Sequence, residues 1–217
     1  MAGFDPFYLI AVLVFLGLAP FLAIMVTSYV KIVVVMSLIR NALGIQQIPP
    51  NMVINGLSII LTMYIMNPVA QETFEILEAR WDEIDKNDLA SIRAAADEAD
   101  DPLKEFLLKH ATDRERQFFF QSAKKLWPEE RHKDLKDDDL MVLVPAFTVS
   151  ELTEAFQIGF LIYLPFIAID IIVSNILLSM GMMMVSPMTI SLPFKLLLFV
   201  VVDGWARLIH GVLLTYS

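Results

Sequence analysis

LMVLVPAFTVSELTEAFQIGFLIYLPFIAIDIIVSNILLSM, Leu140 to Met180, is an apolar stretch with only three charged residues, Glu151, Glu154 and Asp170. A helix needs about 20 apolar residues to cross the hydrocarbon core of a bilayer, so this stretch predicts a membrane-type helix. Thr148 to Glu151 fits a capping box ahead of that helix, and Pro165 with Asp170 is expected to interrupt it. Glu151 and Glu154 are three apart and share a face beside the Thr148 cap.

The rest of the chain agrees with a membrane setting. Hydrophobic residues make up 57% of the 217, and the mean hydropathy is +0.63, more than a soluble core requires. Pro6 to Val30 holds no Asp, Glu, Lys, Arg or His and is long enough to span. Asp5 precedes this run and Lys31 follows it, the reverse of a cleaved signal peptide, so the segment is expected to stay with its N-terminus outside. Asn41 to Gln71 is also uncharged but is punctuated by Pro49, Pro50, Asn51, Asn55 and Pro68, which leaves Met52 to Met66 as a weaker span. Ile190 to Leu214 is long enough to span yet carries Lys195, Asp203, Arg207 and His210.

The formal charge of -9 is concentrated in one interval. Glu72 to Asp139 holds 20 acidic and 12 basic residues, which accounts for -8. Such a partition reads as a polar insert between two membrane-type halves, giving an N-terminal hydrophobic hairpin over 1–71, an acidic insert over 72–139 and a C-terminal hydrophobic hairpin over 140–217. Within the insert Phe74, Leu77, Trp81 and Ile84 recur at helical spacing, as do Leu103, Phe106 and Leu107. Asp101 before Pro102 marks one helix start and Thr112 to Glu115 another, Trp127-Pro128 ends a helix, and Phe118 to Phe120 are expected to dock the insert. The fold class is therefore all-α, with about four long kinked hydrophobic helices and an inserted soluble helical region. Lys31 and Arg40 form a basic loop between the first two spans, which places the insert on the opposite, periplasmic side of a bacterial inner membrane.

Several function classes are excluded or weakened. The chain has no cysteine, so disulfides, thiolate metal sites and Cys nucleophiles are absent. HExxH, GxSxG, P-loop and GxGxxG patterns are missing, and Asp170 in FIAIDII and Asp203 in VVDGW lack the GxGD context of an intramembrane aspartyl protease. No enzyme activity, metal or cofactor is expected. The polar region is acidic and has no basic stripe, which argues against nucleic acid.

Three motifs carry a resemblance. PAFTVSELTEAFQIGF (Pro145 to Phe160), PFKLLLFVVVDGW (Pro193 to Trp205) and VTSYVKIVVVMSLIRNALGIQQIPPN (Val26 to Asn51) resemble the FliP/SctR family of type III secretion export-apparatus proteins, more its injectisome SctR branch than the flagellar one. The resemblance implies a multi-pass protein of the bacterial inner membrane. It also implies a homo-oligomer of five copies that joins SctS-like and SctT-like subunits in a helical, pore-forming export gate. Further partners would be SctU-like and SctV-like proteins, the lipid membrane and unfolded secreted proteins. The assembled helices would be largely lifted out of the bilayer plane. Prolines, asparagines and charges in apolar helices fit that setting, because protein or a water-filled lumen can surround them.

SMGMMMVSPMTISLPFK, Ser179 to Lys195, holds five of the twelve methionines between Met180 and Met188. Gly181, Pro187 and Pro193 are expected to bound a constrained turn carrying Met182, Met183, Met184 and Met188, with Pro187 and Pro193 breaking the flanking helices. Methionine repacks around surfaces of differing shape, so a ring of such loops would close a pore by dewetting yet yield to a polypeptide; the family implies the same gasket. Asp203 and Arg207, four apart, are expected as neighbours on one helix face, and Lys195 with Asp170 as a pairing across helices; together these residues would set assembly. Glu151 and Glu154 suit capping and contacts between subunits better than acid-base catalysis, and Gly159 and Gly204 suit close helix approach. The competing readings are a small-solute or ion transporter, which would want inverted repeats that the two halves do not show, and a structural scaffold of the secretion machine.

Overall fold

The computed structural model describes residues 6–45, 47–80, 98–132 and 135–217, together with Ser91 and Ala95. Trp81 and Ile84 of the amphipathic pattern lie outside the described residues. The described chain is all-helical, with helices α1 (Pro6–Met25), α2 (Tyr29–Ala42), α3 (Asn51–Arg80), α4 (Asp101–His110), α5 (Asp113–Leu126), α6 (Leu140–Ser179), α7 (Pro187–Val201) and α8 (Gly204–Leu214). A single 3-10 turn, Glu129–Arg131, follows α5.

Chain contacts divide the molecule into two compact units: Met1–Val30 with Pro68–Ser150, and Lys31–Asn67 with Glu151–Ser217. In the first unit α4 buries Phe106 and Leu107, and the opening turns of α6 bury Val142, Leu143, Ala146 and Phe147. The Phe106 and Phe147 rings lie 5.7 Å apart. Thr112 stands at the N-cap position of α5, but its hydroxyl meets Ser150 Oγ at 3.1 Å and does not bond its own helix. At α4 the cap is Asp100, one residue before the expected Asp101, with Pro102 in the first turn. Trp127 is extended and ends α5 as expected.

The second unit is organised around α2. Ile32, Val35, Met36, Ile39, Ala42 and Leu43 recur at intervals of three and four and are buried. Facing them, α6 turns inward Ala155, Ile158, Ile162 and Phe166, α3 contributes Ile54 and Leu57, α7 Phe199, and α8 Leu208 and Val212. Gly159 makes the α2–α6 approach close: a Cβ there would lie 2.2 Å from Leu38 Cδ1.

Several expected helix breaks do not occur. α6 starts at Leu140, not at the Thr148 capping box, and runs unbroken past Pro165 and Asp170 for 40 residues, about 60 Å at 1.5 Å per residue. Thr148 sits inside it, its hydroxyl bonded back to Val144 O at 2.8 Å. Proline inside a helix removes one backbone hydrogen bond, and in apolar helices neighbouring groups can satisfy the freed carbonyl; Pro20, Pro68 and Pro193 likewise lie inside α1, α3 and α7. The break that does occur divides the predicted Pro6–Val30 span at residues 26–28. There Thr27 Oγ1 bonds back to Ala23 O at 2.8 Å, and the chain restarts as α2 at Tyr29.

Among the described residues two helices, α3 and α6, are long and apolar enough to cross a membrane, and counting the α1/α2 and α7/α8 pairs as one broken span each gives up to four. Only 11% of the most apolar window of α3 or α6 is buried within the chain, so those faces require lipid or other protein.

Candidate functional site

α2 carries a lysine at its start, where the helix dipole disfavours positive charge. Lys31 is completely buried and meets Glu151 Oε1 at 2.7 Å and Glu154 Oε2 at 2.6 Å. The Tyr216 ring covers the ammonium with its centroid 4.2 Å from Nζ, and its hydroxyl donates to Glu151 Oε2. Tyr216 follows α8; burial first, and the Glu151 charge second, hold its phenol protonated well above the usual range. This cluster corrects the reading of Lys31 as a loop charge that orients the protein. It lies inside a helix, because two carboxylates from one face of α6 replace the water it would otherwise need.

The other cation of that expected loop, Arg40, is also engaged. It donates to Pro49 O at 3.3 Å and Asn51 Oδ1 at 2.5 Å, pinning the connection between α2 and α3.

At the far end of α2 the predicted pairing of Lys195 with Asp170 is present. Lys195 Nζ lies 2.6 Å from Asp170 Oδ2 and 3.1 Å from Ala42 O. That carbonyl is one of the four that a helix leaves unpaired at its C-terminus, and the dipole there favours a cation. Ser191, one turn before Lys195 and fully buried, donates to Asp170 Oδ1 at 2.6 Å. Three elements, α2, α6 and α7, thus meet in one polar knot.

Asp203 and Arg207 are not brought together. Asp203 adopts a left-handed conformation (φ 53°) at the N-cap position of α8, with no side-chain bond to that helix, and α8 leaves α7 at an angle of 61°. Its carbonyl accepts from Arg207 N at 3.1 Å, but no ion pair joins the two side chains among the described residues. The two residues are one turn apart, with Asp203 at the N-cap just before the helical residues. Gly204 fills the corner: a Cβ there would come within 2.3 Å of the Phe199 ring, which also meets Trp205 edge-on at 5.4 Å.

The methionine turn is bounded on both sides. Gly181 takes a left-handed conformation (φ 72°), Met182 N donates to Leu177 O at 2.9 Å and Gly181 N to Leu178 O at 3.0 Å, the paired bonds of a Schellman stop to α6. Ser186 and Pro187 then start α7, proline occupying a position that needs no N–H donor. Met182, Met183 and Met184 stand on this turn at 41%, 81% and 101% exposure. Met188, expected on the turn, belongs to the first helical turn of α7, and Pro193 continues that helix instead of breaking it.

Among the described residues no group of three or more His, Asp or Glu side chains could hold a metal ion. What the second unit offers is an apolar frame, pinned by buried charges at both ends of α2, that holds an exposed methionine turn.

Residues 12–212 match the model of the FliP family. The chain belongs to that family. It is 56% identical over 213 residues to Yop proteins translocation protein R of Yersinia pestis, covering 98% of this chain and 97% of that protein. It is 50% identical over 208 residues to hypersensitivity response secretion protein HrcR of Ralstonia nicotianae, covering 96% of each. Virulence protein YscR of Salmonella typhimurium is 47% identical over 205 residues, covering 93% of this chain and 92% of that protein. The resemblance that the three sequence motifs carry therefore holds across nearly the whole chain.

Proposed function

We propose that this FliP-family chain is a pore-forming subunit of the type III secretion export gate. In this reading several copies, five in a closed assembly, join SctS-like and SctT-like subunits and neighbours of the SctU and SctV kinds in the bacterial inner membrane. Unfolded secreted proteins pass through the centre, and the acidic insert over 72–139 lies on the periplasmic side. The relatives named for translocation, secretion and virulence support the export role.

The observation that carries the gate reading is the turn after α6. Three consecutive methionines stand on a tight, doubly anchored turn, with Met183 and Met184 almost without contacts in their own chain. Flexible apolar side chains that one subunit leaves bare can pack against each other around an axis, excluding water and ions while a polypeptide can still part them. Lys195 with Asp170 would hold the hairpin that presents the loop, and Asp203 with Arg207 would act in assembly.

Deleting Met182 to Met184 tests the reading. The complex should form in normal amount, and cells should leak ions or small molecules that the parent excludes. Unchanged permeability with the complex formed would remove the gasket from the account.

A further inference from the structure

The cations buried in the second unit have carboxylates within their own chain: Lys31 has Glu151 and Glu154, and Lys195 has Asp170. Asp203 and Arg207 break that rule. Both are exposed, both lie at the corner of two apolar helices, and neither finds an ion-pair partner among the described residues. The backbone bond of one helical turn joins them, yet with Asp203 left-handed at the N-cap no ion pair links their side chains.

The corner also sends the two charges to different places. Arg207 lines an apolar cavity of about 420 Å³ with Ile39, Ile162, Pro165 and Phe166, whereas Asp203 lines a second of about 460 Å³ with Ile45, Ile48, Pro49 and Trp205. Gly204 and Phe199 form the wall common to both. Each cavity is thus a greasy recess with one charge in its lining, and the two charges are opposite.

We propose that Arg207 of one copy pairs with Asp203 of the next, each cavity receiving apolar side chains of the neighbouring copy. This rests on the oligomeric export-gate reading and adds its contact. Charge complementarity selects a second copy of this chain as the occupant, because it carries both the missing carboxylate and the missing guanidinium. In the closed assembly of the export-gate reading the contact is head-to-tail, Arg207 of each copy facing Asp203 of the next around the axis.

The chain has no cysteine, so cross-linking reads the contact directly. Val202 lines the Arg207 recess and Ala206 the Asp203 recess, and replacing either with cysteine leaves all charges in place. Val202→Cys and Ala206→Cys copies, differently tagged, are co-expressed in secreting cells and treated with a short bis-maleimide. The expected result is a mixed cross-linked dimer, with little product when either variant is expressed alone. A dominant Val202→Cys or Ala206→Cys homodimer, or no mixed product in complexes that assemble and secrete, overturns the pairing and leaves the export role standing. Loss of secretion on deleting the whole chain is the separate check of that role.

Charge reversal supplies the second arm. In the two-cysteine background, Asp203→Arg or Arg207→Asp alone should lower the mixed product at least about tenfold, and combining them in every copy should bring it back to within about twofold of the parent. A combined variant that melts like the parent yet stays uncross-linked contradicts the proposal.

Discussion

Lys31 and Arg207 are both cations on apolar helices, and the fold treats them oppositely. Lys31 is sealed from water, with two carboxylates and an aromatic face from its own chain around it. Arg207 is left at the mouth of an apolar recess with no acidic partner among the described residues. The first arrangement can only hold the subunit together, since nothing outside reaches it. The second is unfinished, and in an apolar setting an unfinished charge calls for another molecule. Burial and partner, not residue type, separate the charges that build this chain from those that reach beyond it.

The largest effect should come from breaking the sealed cluster. Lys31→Met leaves Glu151 buried with no counter-charge, which costs about 3–5 kcal/mol. At about 2–4 °C per kcal/mol for a chain of this size, thermal unfolding of the purified protein in detergent should fall by roughly 6–20 °C. Adding Glu151→Gln should recover much of the loss, because an amide needs no cation. A melting temperature that does not move would mean that water reaches Lys31 and that the contrast with Arg207 is one of degree.

The smallest effect lies in the turn. A Cβ on Gly181 meets nothing within 4 Å, so Gly181→Ala adds only the cost of holding alanine at φ 72°, about 1–2 kcal/mol. The expected loss of a few degrees, with complex formation intact, would show that the turn is set by its own backbone and is free to present its methionines. A loss as large as that of Lys31→Met would mean that the loop packs against its own chain.

How far these roles could be read from residues alone depends on which physics dominates locally. The long apolar runs and the i, i+3, i+4 spacing in α2 announce helices, since periodicity survives whatever surrounds it. Gly181 and Pro187 are legible for a similar reason, their conformations being set within one turn. Proline was a poor guide elsewhere: Pro165 and Pro193 sit inside unbroken helices, because one missing N–H is a local cost that the packing around it offsets. Lys31 was missed because loop charges and sealed charges have the same letters. A weak signal existed in the near-balance outside the insert, where five acids (Asp5, Glu151, Glu154, Asp170, Asp203) face four bases (Lys31, Arg40, Lys195, Arg207). Which of these pair depends on helix crossings more than a hundred residues apart in sequence, and Asp203 on a left-handed turn that spacing rules assume away.

The most direct test of the division between the two kinds of charge measures two quantities on two variants side by side: the melting temperature of the dissociated subunit and the amount of oligomer recovered in detergent. Lys31→Met should lower the melting temperature, whereas Asp203→Asn should leave it within about 1–2 °C of the parent and still cut oligomer recovery several-fold. If Asp203→Asn melts early with oligomer yield unchanged, the corner charges serve the subunit and not its neighbours, and the account fails at its centre.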